Sequence, residues 1–214
     1  MSASCCGPKA PQVENQKVDK AYRRALFIVL ATNAAMFTVE IGAGLAAGSV
    51  SLQADALDFL GDAGNYAISL FVVGMALRYR ATAALAKGAT MGAFAVWVIG
   101  TALWHGMQGT LPGAFAMGTV GFAALLANAA SFGVLWRFRA GDSNMRSAWI
   151  CTRNDVLGNL AVLLAAAGVF GTGSGWPDIA VAAIMAALAL QGAFVVIRQA
   201  LAERATAPKL SAAE

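Results

Sequence analysis

Charge is what this 214-residue sequence has least of. Only 12% of its residues are Asp, Glu, Lys or Arg, 59% are hydrophobic, and histidine occurs once. A soluble domain carries about twice that share of charge, so an aqueous surrounding is excluded for most of the surface and a membrane is the default. Short segments of alternating polarity are also lacking. With them goes the β-barrel, which leaves helices as the element whose backbone needs no partner from lipid. Residues 1–19 lack the apolar core of a cleaved signal peptide, so the first span is expected to stay as an anchor. The net charge of +4 is spread over four separate segments and gives no nucleic-acid surface.

Apolar runs of about 20 residues, the length of one crossing, are what the sequence has instead. Five are plain, and a sixth emerges once a few buried acids are allowed. The expected spans are 25–47, 51–77, 85–105, 112–138, 145–170 and 178–202, giving an all-α membrane protein of six transmembrane helices. The basic residues fix its orientation, because Lys and Arg are retained on the cytoplasmic side of short loops. Lys9, Lys17, Lys20, Arg23 and Arg24 precede the first span; Arg78, Arg80 and Lys87 follow the second; Arg137, Arg139 and Arg146 follow the fourth; Arg198, Arg204 and Lys209 end the chain. Loops 48–49, 106–111 and 171–177 contain none. Both termini are therefore expected in the cytoplasm. Residues 1–20 are read as a disordered margin carrying Cys5 and Cys6, 21–203 as one membrane domain, and 204–214 as a short tail.

Against this apolar background the buried acids stand out. Asp55, Asp58, Asp62 and Asp155 would together cost on the order of 10 kcal/mol if left ionised and unpaired, at ~2.5–3.5 kcal/mol each. On the second helix Asp58 and Asp62 lie about 40° apart and Asp55 about 60° to the other side, so the three share one face. The fifth helix repeats the i,i+4 spacing with Cys151 and Asp155. Because the two helices run in opposite directions, Asp58 and Asp155 are expected to form the outer half of a site and Asp62 and Cys151 the inner half. Three oxygens and a thiolate suit a tetrahedral dication such as Zn²⁺, and the soft sulfur favours Cd²⁺ further.

The segment 48–62, Gly-Ser-Val-Ser-Leu-Gln-Ala-Asp-Ala-Leu-Asp-Phe-Leu-Gly-Asp, resembles the second-helix signature of the cation diffusion facilitators. The Cys151 to Asp155 pair followed by Val-Leu-Gly-Asn falls where that family carries its second ligand pair, and Asn33 and Glu40 in the first helix agree. The resemblance covers residues 20 to 203. It implies export of Zn²⁺ and related cations from the cytoplasm in exchange for protons, by a homodimer, with no prosthetic group. Two departures accompany it. Cys151 stands where the family usually has His, and the sequence ends where most members continue into a cytoplasmic metal-sensing domain, which places it with the truncated class. The His-rich loop of many members is replaced by residues 140–144.

The ligands' titration suggests how exchange would work. Metal binding needs the carboxylates and thiol deprotonated, so protons and metal exclude each other at one site, and rocking helices convert that exclusion into antiport. A passive divalent-cation channel could use the same acidic ring, and an intramembrane acid–base enzyme could use two Asp residues. The channel is separated by whether metal flux drives protons the other way, the enzyme by whether metal moves at all.

Several residues admit plainer roles. Cys151 could pack as a small apolar side chain, and Asp55 could serve as a charge partner instead of an accessory ligand. Asn33 and Glu40, seven apart on one helix face, fit either interhelical hydrogen bonding or a relay. Arg153 points away from the site and suits a counter-charge to Asp55 or Glu40. His105 is an interfacial residue beside Trp104. Cys5 and Cys6, adjacent and on the reducing side, offer metal capture near the cytoplasmic entrance. The Gly44/Gly48 and Gly88/Gly92 spacings predict close helix packing. The Ala- and Gly-rich composition points to a bacterial inner membrane.

Overall fold

The structure, a computed structural model, describes residues 20–72, 77–138 and 143–206, with the side chains of 72, 77, 80, 143–154 and 206 outside the description. Cys5, Cys6, the N-terminal margin to residue 19 and the tail beyond 206 also lie outside it. The six spans expected from hydropathy are six helices: α1 (Lys20–Ala47), α2 (Val50–Ala67), α3 (Leu77–Gln108), α4 (Ala114–Trp136), α5 (Ser143–Thr172) and α6 (Trp176–Thr206). Five contain stretches long and apolar enough to cross a membrane. The exception is α2, whose 18 residues include Gln53, Asp55, Asp58 and Asp62. It is continued by a π-helical turn, Ile68–Val72, and together these 23 residues reach about 34 Å, enough for one crossing.

Its polarity explains where α2 sits. It packs against α1, α3, α5 and α6, and from Val50 to Tyr66 most of its residues are buried. The other helices turn Phe27, Leu103, Phe115, Phe122, Leu164, Phe170, Ile184 and Phe194 outward, exposed to lipid. The core is layered along the bundle axis. An outer cluster gathers Val50, Leu52, Val98, Met117, Val162, Val169 and Ala182. An inner one gathers Tyr22, Leu26, Val29, Tyr66 and Leu135. The acids of α2 lie between these two apolar plugs.

The outer turns follow one design. Gly48, Gly109 and Gly173, each just past a helix C-terminus, have φ of 64°, 64° and 61°, the left-handed cap that glycine adopts without a Cβ penalty. Carbonyls left open at the helix ends are taken up by Ser49 N–H to Gly44 O at 2.9 Å, Thr110 N–H to His105 O at 3.1 Å and Gly173 N–H to Val169 O at 2.9 Å. The turns also touch each other. Gly113 N–H donates to Ala47 O at 2.9 Å, and a Cβ on Gly175 would overlap the Thr110 carbonyl oxygen.

One further contact holds this end. Asp178, in the first turn of α6 and 1% exposed, accepts from Ser49 Oγ at 2.8 Å, Val50 N–H at 2.8 Å and Ser51 N–H at 3.0 Å. The open N–H groups at the start of α2 are thus capped by a carboxylate from another helix, alongside its own N-cap Ser49, which accepts from Leu52 N–H at 3.2 Å. The expected glycine packing is found in part. Gly88 and Gly92 bring α3 against Ala193, Val196 and Ile197 of α6, and Gly44 lies against Gln53, whereas Gly48 serves the turn.

Candidate metal centre

The face of α2 that carries Asp55, Asp58 and Asp62 looks into the bundle: Asp55 is 0% and Asp62 5% exposed, and Asp58 is half-buried. From α5, Asp155 at 7% and Asn159 at 0% exposure meet it. The decisive contact lies between the two helices, where the Asp62 and Asp155 carboxyls reach hydrogen-bonding distance. Asp155 thus comes within reach of Asp62, the inner carboxyl of the α2 pair. Tyr66 Oη donates to Asp62 Oδ2 at 3.2 Å, and the Asn65 side chain also reaches this carboxylate. Cys151 occupies α5 one turn before Asp155, and its side chain lies outside the described residues, as does that of Arg153. Among the described residues, no three His, Cys, Asp or Glu side chains converge tightly enough to grip an ion.

One turn further out a second polar group ties four helices together. Asp55 Oδ2 accepts from Asn159 Nδ2 at 2.7 Å, and Asn159 Oδ1 accepts from Asn128 Nδ2 at 2.9 Å. Glu40 of α1, 0% exposed, faces Asp55 at hydrogen-bonding distance and lies in the electrostatic field of Asp58. Among the described residues no N–H or O–H donor reaches either Glu40 oxygen or Asp55 Oδ1, so between these two carboxyls the contact closes only with a proton on one of them. Asn33, the other α1 residue expected near the site, is buried and donates from Nδ2 to Val29 O of its own helix at 2.7 Å.

The Glu40 contact makes a sharp pair of variants. Glu40→Gln supplies a permanent donor to Asp55 Oδ1 and should leave thermal unfolding in detergent nearly unchanged. Glu40→Leu leaves that oxygen unsatisfied and should cost about 1–3 kcal/mol. Equal melting of the two would refute the shared-proton arrangement.

Periodicity singled out Asp55, Asp58, Asp62, Asp155 and Glu40. It gave no sign of Asn128 or Lys87, whose Nζ donates to Asn65 Oδ1, because these partners lie on other helices at no fixed spacing, nor of Asn65, an uncharged residue one turn past Asp62 on α2. Residues 26–203 match the family model described as the cation efflux transmembrane domain. The chain belongs to the cation efflux family. This cation efflux protein is therefore a multi-pass membrane transporter of divalent cations, and the family is one of transporters. No curated protein sequence matches it. In the cation efflux frame, the contact of Asp62 with Asp155 brings together the helix faces that carry the two i,i+4 pairs.

Proposed function

We propose that this protein exports Zn²⁺, and with it Cd²⁺, from the cytoplasm in exchange for protons, with Asp58, Asp62, Cys151 and Asp155 as the transported ion's ligands. The observation that carries the reading is the meeting of Asp62 with Asp155 across α2 and α5, between two apolar plugs. Two carboxyls at that depth repel unless a cation or proton lies between them, and that is the demand an exchanging site has to meet. The thiol one turn along α5 supplies the soft donor that favours Zn²⁺ and Cd²⁺ over Mg²⁺. The ligands bind metal only when deprotonated, so each ion loaded from the cytoplasm expels protons, and protons entering from outside expel the ion. The cell membrane, a bacterial inner membrane, is the proposed location and a homodimer the proposed assembly. The outer group of Glu40, Asp55, Asn159 and Asn128 supports α2 beside the site. Asp55, Glu40 and Asn33 are accessory to the ion's path, and Cys5 and Cys6 are proposed to capture metal at its cytoplasmic entrance.

Calorimetry on the purified protein tests this, titrating Zn²⁺, Cd²⁺ and Mn²⁺ in buffers of different ionisation enthalpy. Zn²⁺ and Cd²⁺ should bind with proton release and Mn²⁺ weakly. Cys151→Ser should lower Cd²⁺ affinity by roughly tenfold or more and erase the preference for Cd²⁺. If no transition metal binds, the reading is wrong; if metal crosses vesicles without proton counterflow, the protein is a channel.

A further inference from the structure

Lys87 sits 10 residues beyond the start of α3 at Leu77, about 15 Å along the helix axis. A lysine serving only as a cytoplasmic anchor would extend its ammonium back toward the headgroups. Lys87 instead crosses to α2. Its Nζ donates to Asn65 Oδ1, and its stem lies over Gly64, where a Cβ would come within 3.2 Å of Cγ and 3.3 Å of Cδ. With its oxygen taken by the ammonium, Asn65 has its amide nitrogen to offer to the neighbouring Asp62 carboxylate, and it reaches that group. The order is lysine, amide, carboxylate. Since α2 runs inward from Val50, Asn65 and the ammonium lie on the cytoplasmic side of Asp62, where an ion approaching Asp62 and Asp155 from the cytoplasm must pass.

We propose that the Lys87 ammonium is a tethered cation that balances Asp62 in the empty carrier and competes with the incoming dication, weakening its binding and speeding its release. The proposal rests on the exporter reading. It follows from charge: the acidic face of α2 meets Asp155 inside an apolar bundle, and a fixed positive charge at its inner mouth steadies the empty site while opposing a second cation there. A carrier gains from that opposition, because an ion held too tightly is not delivered. Asn65 holds the ammonium near the site, on the approach to Asp62 and Asp155.

Three variants test it. Lys87→Gln keeps a hydrogen-bond donor toward Asn65 and loses the charge, Lys87→Met loses both, and Lys87→Arg keeps the charge. Calorimetric Zn²⁺ affinity should tighten roughly tenfold in the Gln and Met variants, the scale of one like-charge interaction in a partly hydrated site. It should stay near wild type in the Arg variant. In proteoliposomes both KM and kcat for Zn²⁺ should fall in the neutral variants, the pattern of an ion that binds well and leaves slowly. A lysine that only spaces α2 from α3 would give the neutral variants unchanged or weaker binding, and that result overturns the proposal while wild type still binds. Absence of Zn²⁺ binding by the wild type would instead overturn the exporter reading, and this proposal with it.

Discussion

Asp155→Ala should reduce Zn²⁺ flux into proteoliposomes by about a hundredfold or more while the protein remains folded and melts at or above the wild-type temperature. The two halves of this result come from one cause. Asp155 is 7% exposed and lies against Asp62, so its carboxylate is held at a cost in desolvation and repulsion that alanine does not carry. Removing one of two like charges held together in an apolar bundle relieves that repulsion, the usual exchange of activity for stability at a functional site. Loss of a charged ligand at the proposed site exceeds the loss of an outer partner, which alone costs 10–100-fold in metal affinity or activity by common experience. Asp62→Ala should behave in the same way for flux. It also releases the Tyr66 hydroxyl, which now donates to Asp62, so its melting temperature should rise less. Full proton-coupled flux in Asp155→Ala would remove Asp155 from the transport site.

Asp178→Ala should show the opposite pattern, with a large loss of stability and a loss of transport that follows from it. Three donors at the start of α2, Ser49 Oγ, Val50 N–H and Ser51 N–H, converge on this one carboxylate. They are buried, and alanine would leave them without an acceptor. Unsatisfied buried donors cost about 1–3 kcal/mol each, with some recovery as the helix end relaxes, so the net loss should be on the order of 3 kcal/mol. Asp178→Asn keeps one acceptor oxygen and turns an amide toward the remaining donors, and should fall between. The check is thermal unfolding in detergent; melting of the alanine variant within a degree of wild type would mean that the cap contributes nothing.

These two carboxylates differ in how legible they were. Asp155 is marked in the sequence by Cys151 one turn before it and by the matching pair Asp58 and Asp62, a periodicity that belongs to a single helix and needs no knowledge of packing. The six helices and the inward face of α2 were legible on the same ground, since hydropathy and helical spacing are local properties. Asp178 sits at a span boundary and reads as an ordinary acid in a helix first turn. Its role depends on α6 starting beside the start of α2, 128 residues away from Val50, and no spacing encodes that. Asn159 and Asn128 form a chain between α5 and α4 for the same reason. The register between α2 and α5 was likewise hidden: spacing along each helix does not say that Asp155 comes within reach of Asp62. A contact of this kind is decided by how side chains interlock.

The outer turns carry a consequence for movement. Each joins two consecutive helices through a few residues closed by a left-handed glycine, so α1 and α2, α3 and α4, and α5 and α6 are tied at their outer tips. Away from the tips the partners differ: α1 packs along α2, whereas α3 leaves α4 and packs along α6. The tips are also latched to one another, through the Gly113 N–H bond to Ala47 O and the approach of Gly175 to Thr110. Opening of this end toward the outside therefore has to part the turns at this latch.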